Sequence, residues 1–128
     1  MSNLTFKKEI SAGKHRLSLS EDNIIYVLPS GSVSSEDSQK IRSAFLELFD
    51  IAEDKLKVLA DLNNAGKPSL QARKVAREIL KTDRIQKLAF VGMNSIAKVI
   101  AKFMLNFLAK KEARFFETKE EALSWLNE

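Results

Sequence analysis

The chain is expected to fold as an α/β domain in the order ββαβαβαβα, with a mainly parallel central sheet, an antiparallel edge hairpin and four helices. Two observations predict this. Short β-prone runs alternate with longer segments whose apolar residues recur at three- and four-residue steps. Turn and capping residues fall between them: Pro29-Ser30-Gly31-Ser32, Gly66 with Pro68, and Gly92 interrupt, while Ser, Asn or Thr opens each helical segment. No repeat or interdomain linker divides the 128 residues, so residues 1–128 are read as one domain.

Leu4, Phe6 and Ile10 fit either a strand or a docked arm. His15–Ser20 alternates, Glu21-Asp22-Asn23 turns, and Ile24–Leu28 is a continuous β-prone run, giving a hairpin whose second strand is covered on both faces. Ser34 or Ser35 caps a helix to about Ala52, with Ile41, Ala44, Phe45, Leu48 and Phe49 on one stripe. Lys57–Leu62 is the next strand, and Ser69–Leu80 the next helix. Lys87–Val91 follows as a buried strand, then a helix capped by Asn94 or Ser95 that runs to about Ala109. Ala113–Phe116 is the last strand, and Thr118 with Glu121 forms a capping box for the last helix. Phe45, Leu59, Phe90, Ile100 and Trp125 are expected in one core.

Composition excludes several functions. There is no Cys, hence no disulfide framework, thiolate metal site or Cys nucleophile. His15 is the single histidine, in the polar alternation of an early strand, and reads as a surface or edge residue. A Ser–His–Asp triad would need it, and no G-x-S-x-G elbow accompanies it. Gly66-Lys67 lacks the rest of a phosphate loop. No cofactor, metal or catalytic residue is expected. The start MSNLTFKKEI has no signal-peptide apolar run, and Ile96–Leu108 is broken by Lys98, Lys102 and Asn106, so a cytoplasmic chain without a membrane span is expected.

The net charge of +4 is unevenly spread: Lys and Arg dominate residues 67–111, while Asp and Glu prevail in 35–54 and 112–128. Such a distribution suits an electrostatically steered acidic partner. The candidate surface gathers Asp61, Asn63 and Asn64 at a strand's carboxyl end with Lys67, Arg73 and Arg77 around the following helix, and Lys98 and Lys102 on the third helix. No aromatic residue interleaves with the basic stripe in sequence, which disfavours nucleic acid. In the third helix Ile96, Val99, Ile100, Phe103, Met104 and Phe107 read as the inward stripe. Ala97, Ala101, Leu105 and Leu108 are then left as a flank for a homodimer or partner.

Over about residues 14–127 the chain resembles the STAS fold of anti-sigma-factor antagonists, in particular the SpoIIAA-like, STAS/SEC14 group of small bacterial proteins. The resemblance rests on three stretches. These are the hairpin ending in Ile24–Leu28; Ala60-Asp61-Leu62 followed by Ser69-x-x-Ala72-Arg73-Lys74; and Phe115-Phe116-x-Thr118-x-x-x-Ala122-Leu123-x-Trp125-Leu126. It implies a STAS-like, non-enzymatic regulatory module that binds a protein partner and is switched by phosphorylation at the position of Ser69. Lys67-Pro68-Ser69-Leu70 stands where such antagonists carry an Asp-Ser-Ser-Gly type sequence. The SEC14 side of the resemblance implies the alternative, a small apolar or lipid ligand beneath the third helix.

Overall fold

A computed structural model describes residues 5–108 and 110–128. Leu4 and Ala109, invoked above as a strand position and a helix end, lie outside the described residues. The elements are β1 (Phe6–Ala12), β2 (His15–Ser20), β3 (Ile24–Leu28), β4 (Gly31–Val33), α1 (Ser35–Ile51), β5 (Leu56–Asp61), β6 (Ala65–Pro68), α2 (Leu70–Leu80), β7 (Ile85–Val91), α3 (Ser95–Phe107), β8 (Glu112–Phe116) and α4 (Lys119–Leu126).

Six strands form the main sheet in the order β1-β2-β3-β5-β7-β8. β1–β2 and β2–β3 pair antiparallel, and β3–β5, β5–β7 and β7–β8 pair parallel. The expected hairpin is thus extended by β1, a half-exposed edge strand whose Lys7, Lys8 and Glu9 hid its periodicity.

A second sheet was not foreseen. β4 and β6, read above as turn segments, pair in parallel, with Gly31 opposite Ala65 and Val33 opposite Pro68. A Cβ on Gly66 would lie 2.6 Å from the Ser32 nitrogen, so the two backbones approach too closely for any other residue. Two hydrogen bonds complete the pairing: Gly31 N–H donates to Asn64 O at 2.8 Å, and Ser69 N–H to Val33 O at 2.9 Å. β4 and β6 lead directly into α1 and α2, so this small sheet sets the two helix starts side by side. Each is capped: Ser34 Oγ accepts from Asp37 N–H at 3.0 Å, and Ser69 Oγ from Ala72 N–H at 3.1 Å.

The expected single core is two. Leu17, Leu19, Ile25, Phe45, Leu48, Val58, Leu88 and Phe90 form one cluster, between the sheet and α1, α2 and α3. Ile24, Tyr26, Leu59, Ala89, Val91, Ala122, Trp125 and Leu126 form the other, beneath α4. Alternation along central strands sends Val58 and Leu59, or Phe90 and Val91, to opposite faces. Phe45 and Phe90 are therefore separated from Leu59 and Trp125 by the sheet, and Ile100 joins the first group only partly buried.

The third helix is rotated from the expected orientation. Ala97, Ala101, Met104 and Leu108 are buried, whereas Ile96 and Val99 are 52% and 68% exposed. The proposed dimer flank is thus mostly the chain's own core: of its four residues only Leu105 remains half-buried. The reason is steric. Gly92 and Ala97 bring α3 so close to the sheet that a Cβ on Gly92 would collide with the Ala97 Cβ, and only small side chains fit at that contact.

His15 is corrected too. It is 1% exposed. Its Nδ1 accepts from Ser30 N–H at 3.0 Å, which leaves Nε2 to carry the proton donated to Asp37 Oδ2 at 3.1 Å. That bond holds the Asp37 carboxyl below the ordinary carboxylate range, with loss of solvent opposing it and hydrogen bonding with Ser34 adding to it. The histidine ties the end of the hairpin to the first turn of α1.

Candidate interaction surface

The carboxyl ends of β5 and β7 and the starts of α2 and α3 lie at one end of the fold. Asp61 closes β5, and its Oδ1 accepts from Asn63 N–H at 3.0 Å and Asn63 Nδ2 at 2.9 Å. Asn63 Oδ1 then accepts from Met93 N–H at 3.1 Å, and Asn94 Nδ2 donates to Asn63 O at 2.9 Å. Asn94 also caps α3, its Oδ1 accepting from Ala97 N–H at 2.8 Å. The loop after β5 is thereby stitched to the turn after β7. Asp61, Asn63 and Asn64 sit where the sequence placed them, with Asp61 and Asn63 serving this lattice and Asn64 O holding β4.

Lys67 is exposed on β6, and Ser69 is half-buried at the α2 N-cap. Arg73 lies over the Phe103 ring at 5.8 Å; its Nε is shut off from water without a hydrogen-bond partner among the described residues. Arg77 lies 5.6 Å over Phe103 and 5.5 Å over Phe107. The aromatic neighbours missing from the basic stripe in sequence therefore arrive from α3.

Lys98 and Lys102 are not gathered with them. Lys98 is five positions from Phe103, about 140° round the helix, so both lysines lie on the side of α3 turned away from α2. What sequence reasoning missed is the apolar part of this end. Leu70, Met93, Ile96 and Val99 are 62%, 64%, 52% and 68% exposed, at the first turns of α2 and α3 and the turn before α3. Leu70 occupies the first helical position and the others an apolar-rich helix start, patterns that look like core in a bare sequence.

A mixed sheet with three helices on one face, one on the other and capped helix starts gathered at one end defines a known class of α/β domain. The chain belongs to the SpoIIAA-like family, whose model matches residues 24–127, from β3 through α4. No curated protein matches the sequence. Among the solved structures that share the fold are three. One is an uncharacterized DUF3478-family protein with a SpoIIAA-like fold from Shewanella loihica PV-4, at TM-score 0.64 and 16% identity, covering 98% of this chain and 97% of that one. Another is an anti-sigma factor antagonist from Mycobacterium paratuberculosis, at TM-score 0.65 and 11% identity, covering 98% and 96%. The third is the anti-sigma factor antagonist SpoIIAA in its unphosphorylated form, at TM-score 0.63 and 9% identity, covering 88% and 97%. Among the described residues no helix is long and apolar enough to cross a membrane.

Proposed function

We propose that this chain is a regulatory protein-interaction module, non-enzymatic, that docks a protein partner on the end formed by Leu70, Met93, Ile96 and Val99. The carrying observation is the exposure of those four apolar side chains beside a loop lattice built on Asn63, since large apolar groups gathered on a surface mark contact sites. Lys67 and Arg73 flank the patch, so the partner's rim is acidic. The solved relatives that are anti-sigma factor antagonists support a regulatory reading at the level of the fold. A phosphate on Ser69 would stand at the positive end of α2 and reverse the local charge, turning an acidic partner away.

The test is site-specific photo-crosslinking in cells, with the crosslinker at Val99 or, as control, at Leu46, which is 43% exposed on α1. A discrete adduct from Val99, lost in Leu70→Asp and weakened in Ser69→Asp, is expected. Equal adducts from Leu46 would remove this end as the docking surface.

A second reading rests on a cavity of about 120 Å³ between the sheet and α1, α2 and α3, lined by Ile41, Phe45, Ala72, Phe90, Ile100 and Met104. A dry apolar cavity of about 150 Å³ takes a benzene-sized guest, so this space suits a small apolar ligand beneath α3. Native mass spectrometry of the purified protein tests it: added mass released by solvent extraction supports this reading, and the bare chain mass opposes it.

A further inference from the structure

The outer face of α2 and α3 combines positive charge with exposed apolar side chains. From Leu62 to Arg77 and from Gly92 to Lys111 the sequence has eight Lys or Arg and no Asp or Glu. Glu78, the next acid along α2, is turned toward α1, where Arg42 Nε donates to its Oε2 at 2.7 Å. In α2 the buried stripe is Ala72, Val75 and Ile79, which at about 100° per residue leaves Lys74, Arg77 and Lys81 pointing outward, all exposed. In α3 the buried stripe is Ala97, Ala101 and Met104, which leaves Val99 and Lys102 outward and Lys98 on the flank.

The two helices present these groups as one surface. Arg77 reaches across from α2, its guanidinium 5.6 Å over Phe103 and 5.5 Å over Phe107. Val99 follows around α3, and Lys102 lies beyond it, so Phe103 and Val99 stand between two cationic rows. Leu70, Met93 and Ile96, each more than half exposed, continue the apolar strip to the start of both helices. Nucleic acid would answer the charge but leave these aliphatic side chains in water, and the nearest rings, Phe103 and Phe107, are already stacked under arginine. A bilayer that carries anionic phospholipid answers both parts: its headgroups meet the cations, and the apolar side chains enter the boundary between headgroups and acyl chains.

We propose that the outer face of α2 and α3 binds peripherally to a membrane containing anionic phospholipid. Lys74, Arg77, Lys81, Lys98 and Lys102 hold the headgroup phosphates at the ends of long apolar stems, while Leu70 and Val99 sink between them. The attachment is peripheral, since among the described residues no helix is long and apolar enough to cross. The proposal goes beyond protein docking and does not need it. Leu70 and Val99 belong to both surfaces, so bilayer and protein partner exclude each other there, whereas Lys81, Lys98 and Lys102 act toward the bilayer alone.

The experiment is co-sedimentation of the full-length chain with vesicles of phosphatidylcholine mixed with phosphatidylglycerol, against vesicles of phosphatidylcholine alone. Binding to the mixed vesicles only is expected, and its loss when salt rises from about 0.1 M to about 1 M, which shortens the screening length from about 10 Å to about 3 Å. Lys81→Gln, Lys98→Gln and Lys102→Gln should each weaken binding about fivefold and together about a hundredfold, with melting unchanged because all three side chains are exposed. The chain has no Cys, so Val99→Cys takes a single polarity-sensitive fluorophore, as does Ser124→Cys, exposed on α4 across the sheet. The mixed vesicles should shift the emission to the blue at position 99 and not at 124. No sedimentation with the mixed vesicles, equal binding to phosphatidylcholine alone, a triple variant within about threefold of wild type, or equal shifts at the two positions would overturn the proposal. A Val99 photo-adduct that persists when the wild type fails to sediment leaves protein docking standing and removes the membrane.

Discussion

Replacing Gly66 with alanine strikes the contact that sets α1 and α2 side by side. The added Cβ would stand 2.6 Å from Ser32 N and 2.7 Å from Gly31 C, both backbone atoms that no rotamer change can move aside. Relief to van der Waals distance separates β4 from β6 by most of an ångström and stretches the bonds Gly31 N–H to Asn64 O and Ser69 N–H to Val33 O, now 2.8 and 2.9 Å. At about 1 kcal/mol net for each bond, and about 1 kcal/mol of residual strain, the loss is about 3 kcal/mol. Alanine returns about 0.4–1 kcal/mol by restricting the unfolded chain, for a net destabilisation of about 2 kcal/mol. Urea denaturation reads the total, and amide exchange at Gly31 and Ser69 locates it. An unchanged midpoint with unchanged exchange at both amides would refute the account of the second sheet.

Arg84 spreads its guanidinium over the end of α1, donating from Nη1 to Phe49 O at 2.7 Å, from Nη2 to Glu53 O at 3.0 Å, and from Nε to Asp54 O at 3.0 Å. Arg84→Ala should cost about 2–4 kcal/mol by chemical denaturation, and Arg84→Lys should recover less than half, since a single ammonium cannot span three carbonyls; full recovery would show that charge alone suffices. The chain has one tyrosine, so ultraviolet absorbance titrates Tyr26 directly. Its midpoint should fall near 12 rather than 10.0. Above pH 10 the unfolded state sheds this proton before the folded one, so stability should fall by about 2 kcal/mol between pH 10 and 12, and Tyr26→Phe should lack that component. A midpoint near 10 would place the hydroxyl in water.

The helix starts were legible because their chemistry is local: Ser34, Ser69, Asn94 and Thr118 each accept from the backbone N–H three residues on. The central strands were legible because β-branched and aromatic runs sit between turn residues. β4 and β6 were not, since Gly-Ser-Val and Ala-Gly-Lys-Pro carry turn-like composition and pair only because their backbones meet across 34 residues of chain. The rotation of α3 was hidden by its wealth of apolar residues, which fits several orientations; the choice was made by Gly92, outside the helix. His15 looked solvent-facing because its partner, Asp37, lies 22 residues away. For the candidate site, the polar loop and the basic start of α2 could be read, whereas the exposed Leu70, Ile96 and Val99 could not be told from core.

The placement of α4 has a consequence for how the chain emerges during synthesis. Ile24, Leu59, Ala89 and Val91 form an apolar sheet face whose cover, α4, follows all eight strands of the described residues. Synthesis runs from the N-terminus at about 5–20 residues per second, so β3, β5 and β7 can assemble against α1, α2 and α3 while their other face is still bare. The nascent domain therefore passes through a half-dressed interval of a few seconds, in which that sheet face is open to chaperones or to a neighbouring nascent chain, and it closes when Trp125 and Leu126 leave the ribosome.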